Sequence, residues 1–131
     1  MNQALEIPIA FSTVQAGFPS PADDYTEGHL DIHRHLVKKP GSTIFYPAPD
    51  DSMCEHGIFQ GDIVLVDQSL KPSHDKIVLV EIDGERIFRR YVEIQNRVSL
   101  AVGKKKPVYD LVDPEGGIHI IGVATWVIHP V

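Results

Sequence analysis

Residues 76–94 read KIVLVEIDGERIFRRYVEI. Two runs rich in Val, Ile, Tyr and Phe flank Asp83-Gly84, a dipeptide that tolerates the positive φ angles of a tight two-residue turn. The segment therefore reads as a β-hairpin, with strands over 76–82 and 85–94. Moving outward, the same composition recurs in TIFY (43–46), DIVLVD (62–67), RVSLAV (97–102), PVYDLV (107–112) and IHIIGVATWVIHPV (118–131). Turn residues separate these runs at Gln95-Asn96, at Gly103 and at residues 115–117. So many short strands with little helix predict a mostly β domain of curled antiparallel sheets or a partial barrel. The one helix expected is short: Asp31 caps it, it runs through His33, Leu36 and Val37, and Pro40-Gly41 ends it.

The chain has 131 residues, enough for one compact core and too few for two ordinary domains. Hydrophobic residues make up 43% and charged residues 23%, the profile of a globular protein rather than a disordered one. A formal charge of -6 repels a phosphate backbone, so no direct nucleic-acid binding is expected, and Lys104-Lys105-Lys106 reads as a solvated loop. No run approaches the roughly 20 apolar residues that span a bilayer, and the opening MNQALEIPIAF lacks the basic start of a signal peptide. The single cysteine, Cys54, excludes an internal disulfide and a C-x-x-C zinc pair, which fits a reducing, cytoplasmic setting.

Residues 1–28 contain GFPSPADDY, whose prolines and glycine break any helical or strand period. They read as an extended arm ahead of a core domain over 29–131. Ser52 then stands at the head of a short segment, SMCEHGI, after Pro47, Pro49, Asp50 and Asp51. A serine there either caps one helical turn or acts as a nucleophile whose neighbouring main-chain N–H groups face a developing oxyanion. Position alone leaves both readings open.

The run DSM…G…GDIVLVD, followed by DKIVLVEIDGERIFRR, resembles the LexA/UmuD family of self-cleaving serine/lysine peptidases, the S24 type, and the UmuD branch most. The stretch VQAGFPSPADDY resembles that branch's cleavage region. The resemblance implies that Ser52 is the nucleophile, that its own main-chain N–H serves the oxyanion, and that the Ala16-Gly17 bond is cut. It further implies a homodimer that meets a RecA filament on single-stranded DNA in the SOS response. Once shortened, the protein would join a Y-family, UmuC-like polymerase for translesion synthesis, and no cofactor is involved. Fewer than thirty residues precede the core, too few for the three helices of a helix-turn-helix module, which argues against a repressor. A membrane signal peptidase shares the chemistry but needs a hydrophobic anchor.

One residue departs from the family's pattern. The general base there is a lysine six positions after the first residue of this turn, and here, counting from Asp83, that position is Arg89. A guanidinium titrates above about 12 and cannot be emptied of its proton by ordinary burial. Arg89 can still hold a hydrogen bond to the serine oxygen, but the proton must leave by another route. The rival reading is therefore a catalytically impaired, non-enzymatic dimer that binds the polymerase uncut.

Other candidates read as structural. Lys76 occupies a place that is acidic in the family, and His56 and His74 read as surface or hydrogen-bonded histidines. Cys54 reads as ordinary buried core material. His33 and His35 lack a third ligand, so no metal site is expected. Trp126 reads as core or subunit-interface material, and the apolar last strand as an exposed edge that invites pairing.

Overall fold

The computed structural model describes residues 6–8, 25–26, 29–106, 109–110 and 117–131, with backbone only for 6–8, 25–26 and 109–110. The chain packs as two units, 1–40 and 41–131.

In the first unit, β1 (Glu6–Pro8) and β2 (Tyr25–Thr26) flank β3 (His29–Asp31) in an antiparallel sheet of order β1-β3-β2. The arm thus contributes two short strands where no strand period was legible, because pieces of two and three residues are too short to carry one. Helix α1 (Ile32–Leu36) follows. As expected, Asp31 caps it, accepting from the Arg34 N–H at 3.0 Å. It stops earlier than Pro40-Gly41 requires: Val37 is already extended, and its N–H closes the last turn on the His33 carbonyl at 2.8 Å. Five residues with β-branched Ile32 and two histidines have little intrinsic drive to continue.

The second unit is one open, all-antiparallel sheet of seven strands. They are β4 (Thr43–Pro47), β5 (Ile63–Asp67), β6 (Ile77–Ile82), β7 (Glu85–Ile94), β8 (Arg97–Ala101), β9 (Tyr109–Asp110) and β10 (Ile118–Ile128). Their order is β4-β5-β10-β6-β7-β8-β9. The β6–β7 hairpin falls where the sequence puts it, with Asp83 at φ 51° and Gly84 at φ 83°. Of the expected strand 107–112, only 109–110 lies within the described residues.

β6 organises this unit. Leu79 joins a core cluster with Ala48, Met53, Ile58, Val64, Val66 and Phe88. Its neighbours Val78 and Val80 join a second cluster with Ile82, Leu100 and Val123. Successive side chains of a strand point to opposite faces, so the run IVLV is buried on both sides, which is why it shows no polar alternation.

β10 is not an edge. It lies between β5 and β6, and it serves both by means of two irregularities, one between Ile120 and Gly122 and one between Ala124 and Trp126. Each inserts one residue and bends the strand. Trp126 accordingly lands on an outer face, 45% exposed, opposite Leu65, which in turn faces Phe45 at 70% exposure.

The crossing of β10 over β5 depends on Gly122. A Cβ there would sit 2.7 Å from Val66 Cγ1 and 2.9 Å from the Asp67 carbonyl oxygen. Backbone cannot yield as a side-chain tip does, so Gly122→Ala should destabilise the fold by about 1–3 kcal/mol. A thermal melt should fall by several degrees; an unchanged midpoint would mean the two strands can move apart freely.

Candidate active site

Between β4 and β5 the chain makes a compact loop, and Ser52 is on it. The loop's root is closed by main-chain bonds from Ala48 N–H to the Asp62 carbonyl (2.8 Å) and from Gly61 N–H to the Ala48 carbonyl (2.9 Å). Asp62 is 2% exposed, yet its carboxylate is fully engaged. Oδ2 accepts from the Phe59 N–H at 2.9 Å, and Oδ1 lies 2.6 Å from His129 Nδ1. Burial pushes this carboxyl up, but hydrogen bonds from His129 and Phe59, with the His129 charge, together hold it below its ordinary value.

Met53, 1% exposed, plugs the first core cluster, and its sulfur accepts from the Gly103 N–H at 3.1 Å. Glu55 accepts from the Lys104 N–H at 3.0 Å. The loop over 103–105 is itself pinned by Arg90, which donates to the carbonyls of Gly103 (2.9 Å) and Lys105 (3.1 Å) and pairs with Asp75 (3.1 Å). The three lysines are solvated, as expected, while their backbone braces the site.

Held in this way, Ser52 does not cap a helix. The 3-10 turn Cys54–His56 has Met53 at its N-cap position and no side-chain cap bond. Instead the Ser52 Oγ accepts a hydrogen bond from Arg89 Nη1 at 3.0 Å. The same Nη1 donates to the Phe88 carbonyl at 2.8 Å, which fixes the guanidinium's direction. Arg89 Nε–H is buried without a partner among the described residues, a donor of the site left unspent. The register makes this possible: Arg89 is opposite Val78, next to the Ile77–Arg90 pair at the open end of the β6–β7 ladder.

Asp50 completes the group, and sequence reasoning passed over it. Its Oδ1 accepts from the Ser52 N–H at 2.9 Å. Hydrogen bonds from the Ser52 hydroxyl first, then from that N–H, hold the Asp50 carboxyl below the usual carboxylate range despite some burial, and the Arg89 charge adds to them. The available signal was an Asp two residues before the serine, the spacing of an Asx turn. In this arrangement the Ser52 N–H, the expected oxyanion donor, is occupied by Asp50. Beside Asp50 opens a cleft of about 420 Å³ walled by Tyr46, Pro49, Glu85, Arg86 and Ile87.

The remaining candidates are elsewhere. Lys76 is exposed, in a bulge in which it and Asp75 face Tyr91. His74 accepts from the Glu93 N–H at 3.0 Å. His56 lines a separate cleft with Asp75, Arg90 and Lys104. Cys54 is exposed rather than buried, because the turn sends Met53 inward in its place. Ala16 and Gly17 lie outside the described residues. Among the described residues no three His, Cys, Asp or Glu side chains gather as a metal site.

A serine on a braced loop, with a cationic side chain delivered from the neighbouring hairpin of an open antiparallel sheet, is the layout of a serine/lysine-type peptidase domain. The chain belongs to the Peptidase S24-like family, whose pattern matches residues 8–125. It is 40% identical over 122 residues to Protein ImpA of Salmonella typhimurium, covering 93% of this chain and 83% of that one. It is 35% identical over 128 residues to Protein MucA of Salmonella typhimurium, covering 95% and 87%. It is 30% identical over 130 residues to LexA repressor 1 of Geobacter sulfurreducens, covering 98% of this chain and 63% of the repressor. The resemblance to the LexA/UmuD type read from the motifs is thereby established.

The root of the loop should be acid-sensitive. Because Asp62 has a lower pKa folded than unfolded, its contribution is present in full above the unfolded value of about 3.9 and is lost as pH falls through the folded one. Urea midpoints should therefore decline below about pH 4, and Asp62→Asn should lower the neutral-pH midpoint while flattening that decline. Parallel curves for the two proteins would remove Asp62 from this role.

Proposed function

We propose that this chain is a UmuD-like SOS-response protein that cuts its own Ala16-Gly17 bond, with Ser52 as nucleophile, when assisted by a RecA filament on single-stranded DNA. The shortened product then serves as accessory subunit of an error-prone, Y-family translesion polymerase. The observation that carries this reading is the Arg89 Nη1 to Ser52 Oγ hydrogen bond of 3.0 Å within an S24-type fold. It supports a Ser52 hydroxyl held for chemistry rather than for capping, with Arg89 in the position of the family's lysine. The cleft beside Asp50 offers room for an extended segment. Small residues at Ala16 and Gly17 suit close approach to a nucleophile.

Homodimerisation is part of the proposal, supported by the exposed Phe45, Trp126 and Ile128, the first two paired across the buried Leu65 between them. The cytoplasm is the proposed location; no helix among the described residues is long and apolar enough to cross a membrane. The net charge of -6 argues that contact with DNA is made through protein partners. A second reading, a dimeric polymerase-binding module that stays uncut, is favoured by one fact: Arg89 cannot surrender its proton.

Incubation with activated RecA, followed by mass spectrometry, should yield a fragment beginning at Gly17, and Ser52→Ala should yield none. An intact chain under these conditions, for both the native protein and Arg89→Lys, would remove self-cleavage and leave the uncut module.

A further inference from the structure

Arg89 and Arg90 are neighbours on β7 and donate to different partners. Arg89 reaches the Ser52 hydroxyl. Arg90 spreads its guanidinium over three acceptors: Nε donates to the Gly103 carbonyl at 2.9 Å, Nη2 to the Lys105 carbonyl at 3.1 Å and Nη1 to Asp75 Oδ1 at 3.1 Å. Register explains the choice, because Arg90 is opposite Ala101, the last residue of β8, and so meets the chain where it leaves the sheet. Resting on the self-cleavage reading above, we propose that Arg90 is a positioning residue for Ser52: it holds residues 103–105 against the turn that carries the serine, and that contact sets where Oγ stands relative to Arg89.

The path from Arg90 to the serine is short and made of direct contacts. Gly103 N–H donates to the sulfur of Met53, the residue after Ser52, at 3.1 Å. Lys104 N–H donates to Glu55 Oε1 at 3.0 Å, on the far side of the same turn. Gly103 is packed so closely there that a Cβ on it would run into Glu55 Oε1 and sit 3.6 Å from the Ser52 carbonyl oxygen. Any shift of this loop is therefore felt by the serine backbone. The loop is closed locally by the bond from Lys105 N–H to the Val102 carbonyl at 3.0 Å, and Arg90 fixes it to the sheet through two further carbonyls.

Asp75 is the counter-charge that keeps Arg90 in place. The Arg90 side chain is only 16% exposed, and a cation so far from water needs a carboxylate beside it. Asp75 supplies one from a left-handed backbone, φ 69°, a conformation that Asp and Asn tolerate better than most residues. Its N–H donates to the Tyr91 carbonyl at 2.7 Å, which holds it against β7. Three acceptors arranged around a planar fork suit a guanidinium and not an ammonium, whose donors radiate from one atom. The two neighbours should thus respond in opposite ways to one change. Arg89→Lys puts an amine at the position of the family's base, whereas Arg90→Lys releases the brace.

The test uses full-length chains: native, Arg90→Lys and Asp75→Asn, each also made with Arg89→Lys. Amide hydrogen exchange and thermal melts are measured on each chain alone, and the rate of release of the Gly17 fragment with activated RecA. Asp75→Asn removes the counter-charge and leaves the backbone conformation accessible. In Arg90→Lys the amides of Cys54, His56, Gly57, Gly103 and Lys104 should exchange about tenfold faster or more, while Leu79 and Val80 of β6 keep their rates. Asp75→Asn should act in the same direction to a smaller extent. Cutting by Arg90→Lys should slow by about tenfold to 10²-fold in whichever Arg89 background cuts. Unchanged exchange in the turn would overturn the proposal. So would a rise that includes β6 together with a lowered melt, which would make Arg90 an ordinary stabilising residue. Release of the turn with cutting undiminished would overturn it as well, since Ser52 would then be independent of the brace. Should Arg90→Lys fail to fold, Asp75→Asn decides by the same readings. If no chain cuts, the self-cleavage reading falls, and exchange alone decides whether Arg90 holds the serine turn: local release sustains the brace, and its absence removes it.

Discussion

Burial of β6 on both faces is the constraint on which the second unit turns. Val78, Val80 and Ile82 pack into one cluster and Leu79 into the other, so the strand has no face left for water and must be flanked on both sides. β7 on one side and β10 on the other meet that need. Slipping the β6–β7 ladder by one residue would send Leu79 into the wrong cluster. The same register puts Arg89 opposite Val78, and so hydrophobic packing, rather than any polar contact, decides which cation reaches Ser52.

The loop carrying Ser52 inherits its rigidity from several independent anchors. Met53 fills the core on one side of the serine, and Asp50 bonds it on the other. Asp62 and His129 tie the loop's end to the residues just past β10. Glu55 and Arg90 both reach the backbone of residues 103–105. On the proposed reading, a serine held on so braced a loop would lose little further freedom when a bond is brought to it, which is where tethered reactions gain most of their advantage.

Much of this was legible in the sequence, for identifiable reasons. Strands β5 to β8 announced themselves because Val- and Ile-rich runs are set off by residues such as Asp83-Gly84 and Gln95-Asn96, all four of which adopt positive φ. Ser52 and Arg89 were legible through motif spacing, and the structure brings them within hydrogen-bond distance. Asp50 was not, because an acidic residue among Pro47, Pro49 and Asp51 looks like any solvated turn until the direction of its carboxylate is known. Asp62 and His129, 67 residues apart, are joined only by the path of β10. The exposure of Cys54 and burial of Met53 follow from a single 3-10 turn, whose phase composition cannot report.

The two inserted residues of β10 bear on how this strand tolerates change in length. Ile118 and Ile120 pack toward one cluster, and Ala124 and Val127 toward the other. The first insertion reverses the even-odd sense of the side chains, and the second, around Thr125, reverses it back. Each inserted residue is thus dispensable to the pattern: deleting Ile121 or Thr125 would make the flanking pairs consecutive and keep every other side chain on its present face, whereas adding or removing a residue within a regular stretch would turn the strand inside out as far as the next irregularity.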